Sequence, residues 1–173
     1  CFNAPHWPLH ARTEDIERHR GRYRGGWDAL RTARHERLKG MGLLDPRWPI
    51  SPRDEQAPPW EGAELKDWQD ARMAVYAAQV DRLDRNIGRC VARLRELGAL
   101  ENTLIVFVSD NGGSAEFLRE NGRAESENPF TRDGRPVRTG NIPGRMPGGG
   151  DTFMSYGLPW ANASNAPFRR FKS

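Results

Sequence analysis

Cysteine is scarce in this sequence, which has two Cys among 173 residues. Two cysteines are too few for a disulfide framework or for a four-ligand zinc site. The sequence also lacks any apolar run long enough to cross a bilayer, which excludes a transmembrane helix within these residues. A disulfide framework, a four-ligand zinc site and a transmembrane helix are therefore not expected in this part of the chain.

Lysine is scarce as well, because 24 of the 27 basic residues are Arg. The 23 acidic residues are interleaved with these arginines, and the net charge is only +4. Such interleaving is typical of a solvated, ion-paired surface, so no nucleic-acid partner is expected. With 36% hydrophobic residues and a mean hydropathy of −0.82, the chain has room for one domain with a modest core and much irregular structure.

The hydrophobic pattern predicts two helices and one buried strand. A helix is expected over Trp27–Lys39, and a long amphipathic helix over Met73–Leu97, where apolar residues recur every three or four positions. The unbroken apolar run at 103–108 predicts a central parallel strand covered on both faces. A helix packed back on such a strand indicates the α/β class, a mostly parallel sheet flanked by helices. The segments Met41–Gly62 and Gly112–Asn165, rich in Pro and Gly, are expected to be long irregular loops.

The predicted strand is followed directly by Ser109-Asp110-Asn111-Gly112-Gly113. In α/β sheets, ligands bind just beyond the carboxyl ends of the strands. Asp110 and Asn111 offer one charged and one neutral oxygen, which are ligands that calcium or magnesium takes, and the glycines allow a sharp turn afterwards. The alternative is an Asp-Asn-Gly turn with a structural role only.

Two further candidates stand near the ends of the chain. His6 lies between Pro5 and Trp7-Pro8, where the prolines restrict the backbone and could hold the imidazole toward an anion or a leaving group. Lys172 is one of three lysines in an Arg-rich chain, which hints at a selected point charge. The alternative for both is an ordinary surface or packing residue. The other three histidines, His10, His19 and His35, have no comparable setting and are expected to be solvated.

Four segments together resemble the type I sulfatases of the arylsulfatase group. They are APHWPL at 4–9, VYAAQVDRLDRNIG at 75–88, VSDNG at 108–112 and NAPFRRFK at 165–172. The resemblance implies a partial alkaline-phosphatase-like α/β fold and hydrolysis of small-molecule or carbohydrate sulfate esters. It also implies a divalent cation, usually Ca²⁺ with Mg²⁺ as the alternative, and a formylglycine nucleophile made from Cys or Ser.

By the same resemblance, Asp110 and Asn111 would be metal ligands, His6 would contact the sulfate and the leaving-group oxygen, and Lys172 would bind the sulfate. The family's nucleophile lies in a Cys-x-Pro-x-Arg or Ser-x-Pro-x-Arg stretch, which neither Cys1 nor Cys90 provides. Residues 1–173 are therefore expected to be a central fragment of a sulfatase catalytic domain. The formylglycine is expected in an N-terminal part outside this sequence, and the fragment alone is expected to be inactive.

Three alternatives remain open at this point, one of which is a degenerate sulfatase-like protein without catalysis. A phosphonate or phosphodiester hydrolase of the same superfamily would need nearly the same cation-lined pocket. A non-catalytic basic binding module would instead need its arginines gathered on one surface. The cellular compartment, the oligomeric state and the particular sulfate ester are not indicated by the sequence.

Overall fold

The computed structural model describes residues 2–120 and 129–172. Cys1 and part of the segment Gly112–Asn165 lie outside these ranges. The regular structure of the described chain is mainly helical, with two short 3₁₀ turns and one small sheet. Its elements are α1 (Thr13–Glu17), α2 (Gly26–Gly40), the turn Trp60–Gly62, α3 (Lys66–Glu96), the turn Leu100–Asn102, β1 (Arg138–Thr139), β2 (Thr152–Phe153) and α4 (Leu158–Asn165).

The two predicted helices are confirmed, and both are longer than expected. Helix α2 adds one residue at each end, and α3 begins seven residues before Met73. The first half of α3 is buried, including Ala74 and Val75 with no exposed surface, whereas its second half is largely half-exposed or exposed. Among the described residues, no helix is both long and apolar enough to pass through a membrane.

The sheet is parallel but much smaller than predicted. Strands β1 and β2 pair in parallel, with Arg138 opposite Thr152 and Thr139 opposite Phe153. Side-chain bonds continue the pairing beyond the strands, because the Ser155 amide donates to Asn141 Oδ1 at 2.8 Å and Asn141 Nδ2 donates to Ser155 Oγ at 3.0 Å. These two buried side chains hold the segment that follows β2 against the segment that follows β1.

The prediction of a covered central strand at 103–108 is wrong for the described structure. The segment has no strand partner within residues 2–120 and 129–172, and its side chains are exposed, Leu104 at 89% and Val108 at 75%. An unbroken apolar run favours an extended, buried strand by its composition. A strand also needs at least one hydrogen-bonded neighbour, and the segment has none among the described residues.

Three tryptophans form the centre of the core. Trp27 of α2, Trp60 of the first 3₁₀ turn and Trp160 of α4 meet edge-to-face or tilted, with ring centroids 4.7 to 6.0 Å apart. The first half of α3 packs against them. The loop Met41–Gly62 is anchored on this core by buried Leu44 and Ala57, so its ends are fixed although most of its residues are exposed.

The expectation that His35 is solvated is wrong. His35 is 3% exposed on the buried stripe of α2, and its Nε2 lies 3.1 Å from the Trp48 carbonyl oxygen. Arg31, one turn earlier, is also buried and donates to the Ser51 carbonyl at 2.7 Å. The loop backbone thus supplies the hydrogen bonds that make these two polar side chains suitable for burial.

A buried carboxylate links α1 to α3. Asp15 is 1% exposed and accepts hydrogen bonds from Arg82 Nε at 3.0 Å, Arg18 at 3.1 Å and Arg85 at 3.3 Å. The hydrogen bond from Arg82 is the main reason why the pKa of Asp15 is lowered, and the three positive charges add to it while burial opposes it. In the unfolded chain the pKa of Asp15 has its ordinary value, about 4. Because the folded state lowers this pKa, the network stabilises the folded state above about pH 4.

We expect Asp15→Asn to lower the free energy of unfolding by about 1–2 kcal/mol at neutral pH, because the charge-assisted hydrogen bonds are lost while the partly exposed arginines turn to water. The stabilisation is lost as pH falls through the lowered pKa of Asp15, so the difference between variant and wild type should shrink in acid. Urea unfolding between pH 7 and pH 3 measures this. Asp84→Asn, at an exposed position of α3, is the control. A constant difference at every pH would contradict the assignment.

Candidate active site

All four predicted site residues line one cavity of about 600 Å³. His6 comes from the loop before α1, Asp110 and Asn111 from the segment after 103–108, and Lys172 from the segment after α4. A cavity of this size suits a small organic ligand. The fold therefore brings together residues that are up to 166 positions apart, while their chemical roles stay predictions.

His6 and Lys172 are in direct contact. Lys172 Nζ lies 3.1 Å from His6 Nε2, and His6 Nδ1 lies 2.6 Å from the carbonyl oxygen of Trp7. A carbonyl oxygen only accepts, so this arrangement assigns the proton of the neutral imidazole to Nδ1. Nε2 then accepts a hydrogen bond from the Lys172 ammonium. Both side chains are exposed to the cavity.

The loop that carries His6 is fixed by its neighbours. The Trp7 indole N–H donates to Ser114 Oγ at 3.3 Å and to the Glu116 carboxylate. The Trp7 ring contacts Phe153 edge-on at 5.8 Å and the His6 ring at 4.8 Å. The loop backbone is also bound to the core, because the Leu9 amide donates to the Met154 carbonyl at 2.9 Å. His6 is thus held on a rigid support although its ring is solvated.

Glu116 is a charged neighbour of the site that the sequence did not single out. The hydrogen bond from the Ser114 hydroxyl, at 2.7 Å, is the main cause of the lowered pKa of Glu116. Burial opposes this effect, whereas the Trp7 indole and the positive charges of Lys172 and His6 reinforce it. Glu116 is therefore a carboxylate that partly balances the cations of the cavity.

Asn165 fastens the segment after 103–108 to the segment that carries Lys172. Its Oδ1 accepts from the Gly113 amide at 2.6 Å, and its Nδ2 donates to the Arg170 carbonyl at 3.0 Å. The Lys172 amide completes the connection by donating to the Gly113 carbonyl at 3.1 Å. Lys172 is thereby placed by backbone bonds and not by its flexible side chain alone.

The structure shows what glycine contributes after Asn111. Neither Gly112 nor Gly113 has a positive φ, so the left-handed region is not what requires glycine here. Gly113 is instead required by close packing, because a Cβ there would lie 2.7 Å from the Tyr156 hydroxyl and 2.9 Å from Ser164 Oγ. The missing side chain lets this backbone approach α4.

Asp110 and Asn111 are adjacent and exposed in the cavity, and Asn111 Nδ2 donates to Asp110 Oδ1 at 2.5 Å. Their oxygens suit a hard cation such as calcium, which takes six to eight oxygen ligands. Within residues 2–120 and 129–172, no cluster of three or more His, Cys, Asp or Glu could hold a metal ion. This chain can thus supply part of a cation site.

The lining of the cavity also includes four polar residues that sequence reasoning missed: Arg34, Tyr76, Tyr156 and Ser164. Tyr76 and Tyr156 are stacked at 4.6 Å, and the Tyr156 hydroxyl lies 2.8 Å from Ser164 Oγ. In the sequence, Tyr76 belongs to the apolar stripe of the long helix, so its pattern indicated packing alone. Arg34 is one of many helical arginines and carried no distinguishing signal.

Comparison with known proteins agrees with this architecture. The family model described as Sulfatase matches residues 1–144. An uncharacterized sulfatase of Schizosaccharomyces pombe is 36% identical over 99% of this chain, which covers 30% of that relative. An arylsulfatase of Klebsiella aerogenes is 34% identical over 99% of the chain and is covered to 35%. The chain thus spans about a third of these relatives, and the match over most of its residues shows that it belongs to the sulfatase family, with the α/β, alkaline-phosphatase-like fold.

Proposed function

We propose that the full-length protein carrying this chain hydrolyses sulfate monoesters. The observation that carries the proposal is the single cavity in which His6, Lys172, Asp110 and Asn111 meet, with the Lys172 ammonium 3.1 Å from the His6 imidazole. Membership of the sulfatase family supports it, as does the arylsulfatase of Klebsiella aerogenes among the relatives. Residues 1–173 would then be a central piece of the catalytic domain.

Lys172 would bind the sulfate group, and His6 would protonate the leaving oxygen. When the imidazole is neutral, Nε2 accepts from Lys172. When it is protonated, Nε2 becomes a donor, and Lys172 loses its acceptor there. Both groups then have N–H donors free for a sulfate ester: Lys172 for the sulfuryl oxygens and His6 for the oxygen that departs, which takes the proton from Nε2.

Asp110 and Asn111 would hold the divalent cation, for which we propose Ca²⁺, with Mg²⁺ as the alternative. When bound, such a cation offsets negative charge on the oxygens of the transferred group. The remaining oxygen ligands would come from other parts of the full-length protein, since this chain supplies two.

The nucleophile would be a formylglycine outside residues 1–173. No Cys or Ser of this sequence stands two residues before a proline, so the motif that precedes formylglycine formation does not occur here. Cys90 is exposed on α3 and lies outside the cavity lining. The isolated chain is accordingly proposed to be inactive.

The test is hydrolysis of matched 4-nitrophenyl esters by the full-length protein with calcium present. We expect turnover of the aryl sulfate to exceed that of the aryl phosphate, phosphonate and phosphodiester analogues, and we expect it to fall after removal of divalent cations and to return when calcium is restored. Faster turnover of a phosphorus ester would assign the protein to the alternative hydrolase class. Activity insensitive to chelation would contradict the cation site at Asp110 and Asn111.

A further inference from the structure

The cavity lining includes polar residues to which the proposed sulfate transfer gives no role. They are Arg34 on α2, Tyr76, Tyr156, and Ser164 of α4, and we call these four residues the polar wall. These side chains present a guanidinium and three hydroxyl groups to the same space as His6 and Lys172. The Ser164 hydroxyl donates to the Ala161 carbonyl at 3.1 Å, so the Tyr156 hydroxyl donates to Ser164 Oγ, and the guanidinium of Arg34 is the charged donor left for an oxygen of a ligand.

Within the described chain, Arg34 is held by one hydrogen bond, which leaves other N–H groups of its guanidinium free to bind a ligand. Its Nε donates to the Ala166 carbonyl at 2.9 Å, which fixes the side chain between α2 and the end of α4. In the part of the chain that the structure describes, no Asp or Glu forms an ion pair with Arg34. A guanidinium positioned by one backbone bond loses little further entropy when its remaining N–H groups bind a planar anion.

The neighbouring phenols stay neutral donors. Burial raises the pKa of both Tyr76 and Tyr156, although the positive charge of Arg34 acts in the opposite direction. At neutral pH their hydroxyls therefore remain protonated beside the guanidinium. Together with Ser164, they add polar but uncharged groups to the same cavity lining as Arg34.

The charges of the cavity exceed what one sulfate monoester requires. Its charged side chains, with His6 counted in its protonated form, are His6, Arg34, Lys172 and Asp110, and the neighbouring Glu116 balances part of the charge of His6 and Lys172. Asp110 is assigned to the cation, and the single negative charge of a bound sulfate ester is met by that cation and Lys172. Among the described residues, Arg34 then faces the cavity without a carboxylate of its own, which favours a ligand that brings a second negative group.

We propose that Arg34 binds a second anionic group on the leaving-group part of the substrate, a carboxylate or a further sulfate. This inference rests on the proposed function, because it names the class of sulfate ester that the same cavity takes. The substrate class is then a sulfate ester whose aryl or sugar residue is itself acidic. Arg34 acts as a specificity-determining residue, with Tyr76, Tyr156 and Ser164 completing the polar wall.

Binding can be measured without turnover, which separates this inference from the proposed function. Isothermal titration of the full-length protein with sulfobenzoate is compared with titration by sulfobenzamide, a neutral partner of nearly equal size, in the 3- and 4-isomers. Benzenedisulfonate tests a sulfate-like second group in place of the carboxylate. We expect at least one dianion to bind about tenfold or more tightly than the matching sulfobenzamide, the range of a charge-assisted hydrogen bond.

Arg34→Gln should abolish this preference, and Arg34→Lys should restore part of it. Arg37→Gln is the matched control, because Arg37 is exposed three residues later on the same helix and lies outside the cavity lining. Equal affinity for the dianions and the amide in the wild type would overturn the inference. So would a preference that persists in Arg34→Gln or disappears equally in Arg37→Gln. A preference specific to Arg34 without any sulfate-ester turnover would uphold the anion site and refute the proposed hydrolysis.

Discussion

Replacing His6 by alanine is expected to lower kcat/KM for aryl sulfates at least about a hundredfold, the usual range for loss of a general acid. The loss should grow as the leaving phenol becomes more basic, because a poor leaving group depends more on the proton from Nε2. Hydrolysis of a series of substituted phenyl sulfates by wild type and variant measures this dependence. An equal loss across the series would contradict proton donation by His6.

The contact between His6 and Lys172 leads to a second prediction, which the same aryl sulfate assay measures. Lys172→Ala should also lower kcat/KM about a hundredfold, because it removes a fixed positive charge from the bound sulfate. Since the two side chains are 3.1 Å apart, the double variant should lose less than the product of the single effects. His10→Ala is the control, because His10 is exposed in the same loop and lies outside this cavity.

The sequence predicted those site residues whose functional side chains stand out within a short local segment. His6 between prolines, and Asp110-Asn111 after an apolar run, are local patterns, and the fold places both in one cavity. Arg34 and Glu116 could not be found in this way. Arg34 belongs to the site because α2 lies next to the cavity, and Glu116 does so because it contacts the loop before α1. The sequence spacing of these residues predicts neither contact.

The fold shows the same division between local and distant information. The periodicity of α3 describes one helix and predicted it well, because every backbone bond of a helix lies within its own segment. A strand is completed only by its neighbours, and the exposed segment at 103–108 finds none in the described chain. The relatives are about three times as long as this chain, and the proposal that the chain is a piece of a longer catalytic domain would place the strand partners in the rest of that domain.

Buried polar residues mark a further limit of pattern reading. The inward stripe of α2 consists of Trp27, Arg31 and His35, two of which a hydrophobicity pattern assigns to solvent. Arg31 and His35 can be buried because the backbone carbonyls of Ser51 and Trp48 lie within hydrogen-bond distance of them. Only the path of the Pro-rich loop, which brings those carbonyls to the helix, makes this burial favourable.

Gly26→Ala is expected to destabilise the protein by about 2–5 kcal/mol, from left-handed backbone strain and from overpacking. Gly26 begins α2 with a φ of +82°, and a Cβ there would lie 2.0 Å from the Trp60 ring. That ring packs within the tryptophan core and cannot move without disturbing Trp27. The urea midpoint of the full-length protein measures the change.

The adjacent glycine provides a control of the same chemistry. Gly25 has a φ of −70°, and a Cβ there would meet only Ala29 Cβ at 3.8 Å, an ordinary contact. Gly25→Ala should therefore change stability by less than about 1 kcal/mol, with either sign. Trp60→Ala is destabilising by itself, but adding Gly26→Ala to it should cost only the strain of about 1–2 kcal/mol, because the steric conflict is gone. Equal costs of Gly26→Ala with and without the indole would show that backbone strain alone, and not the approach of Trp60, requires glycine at this position.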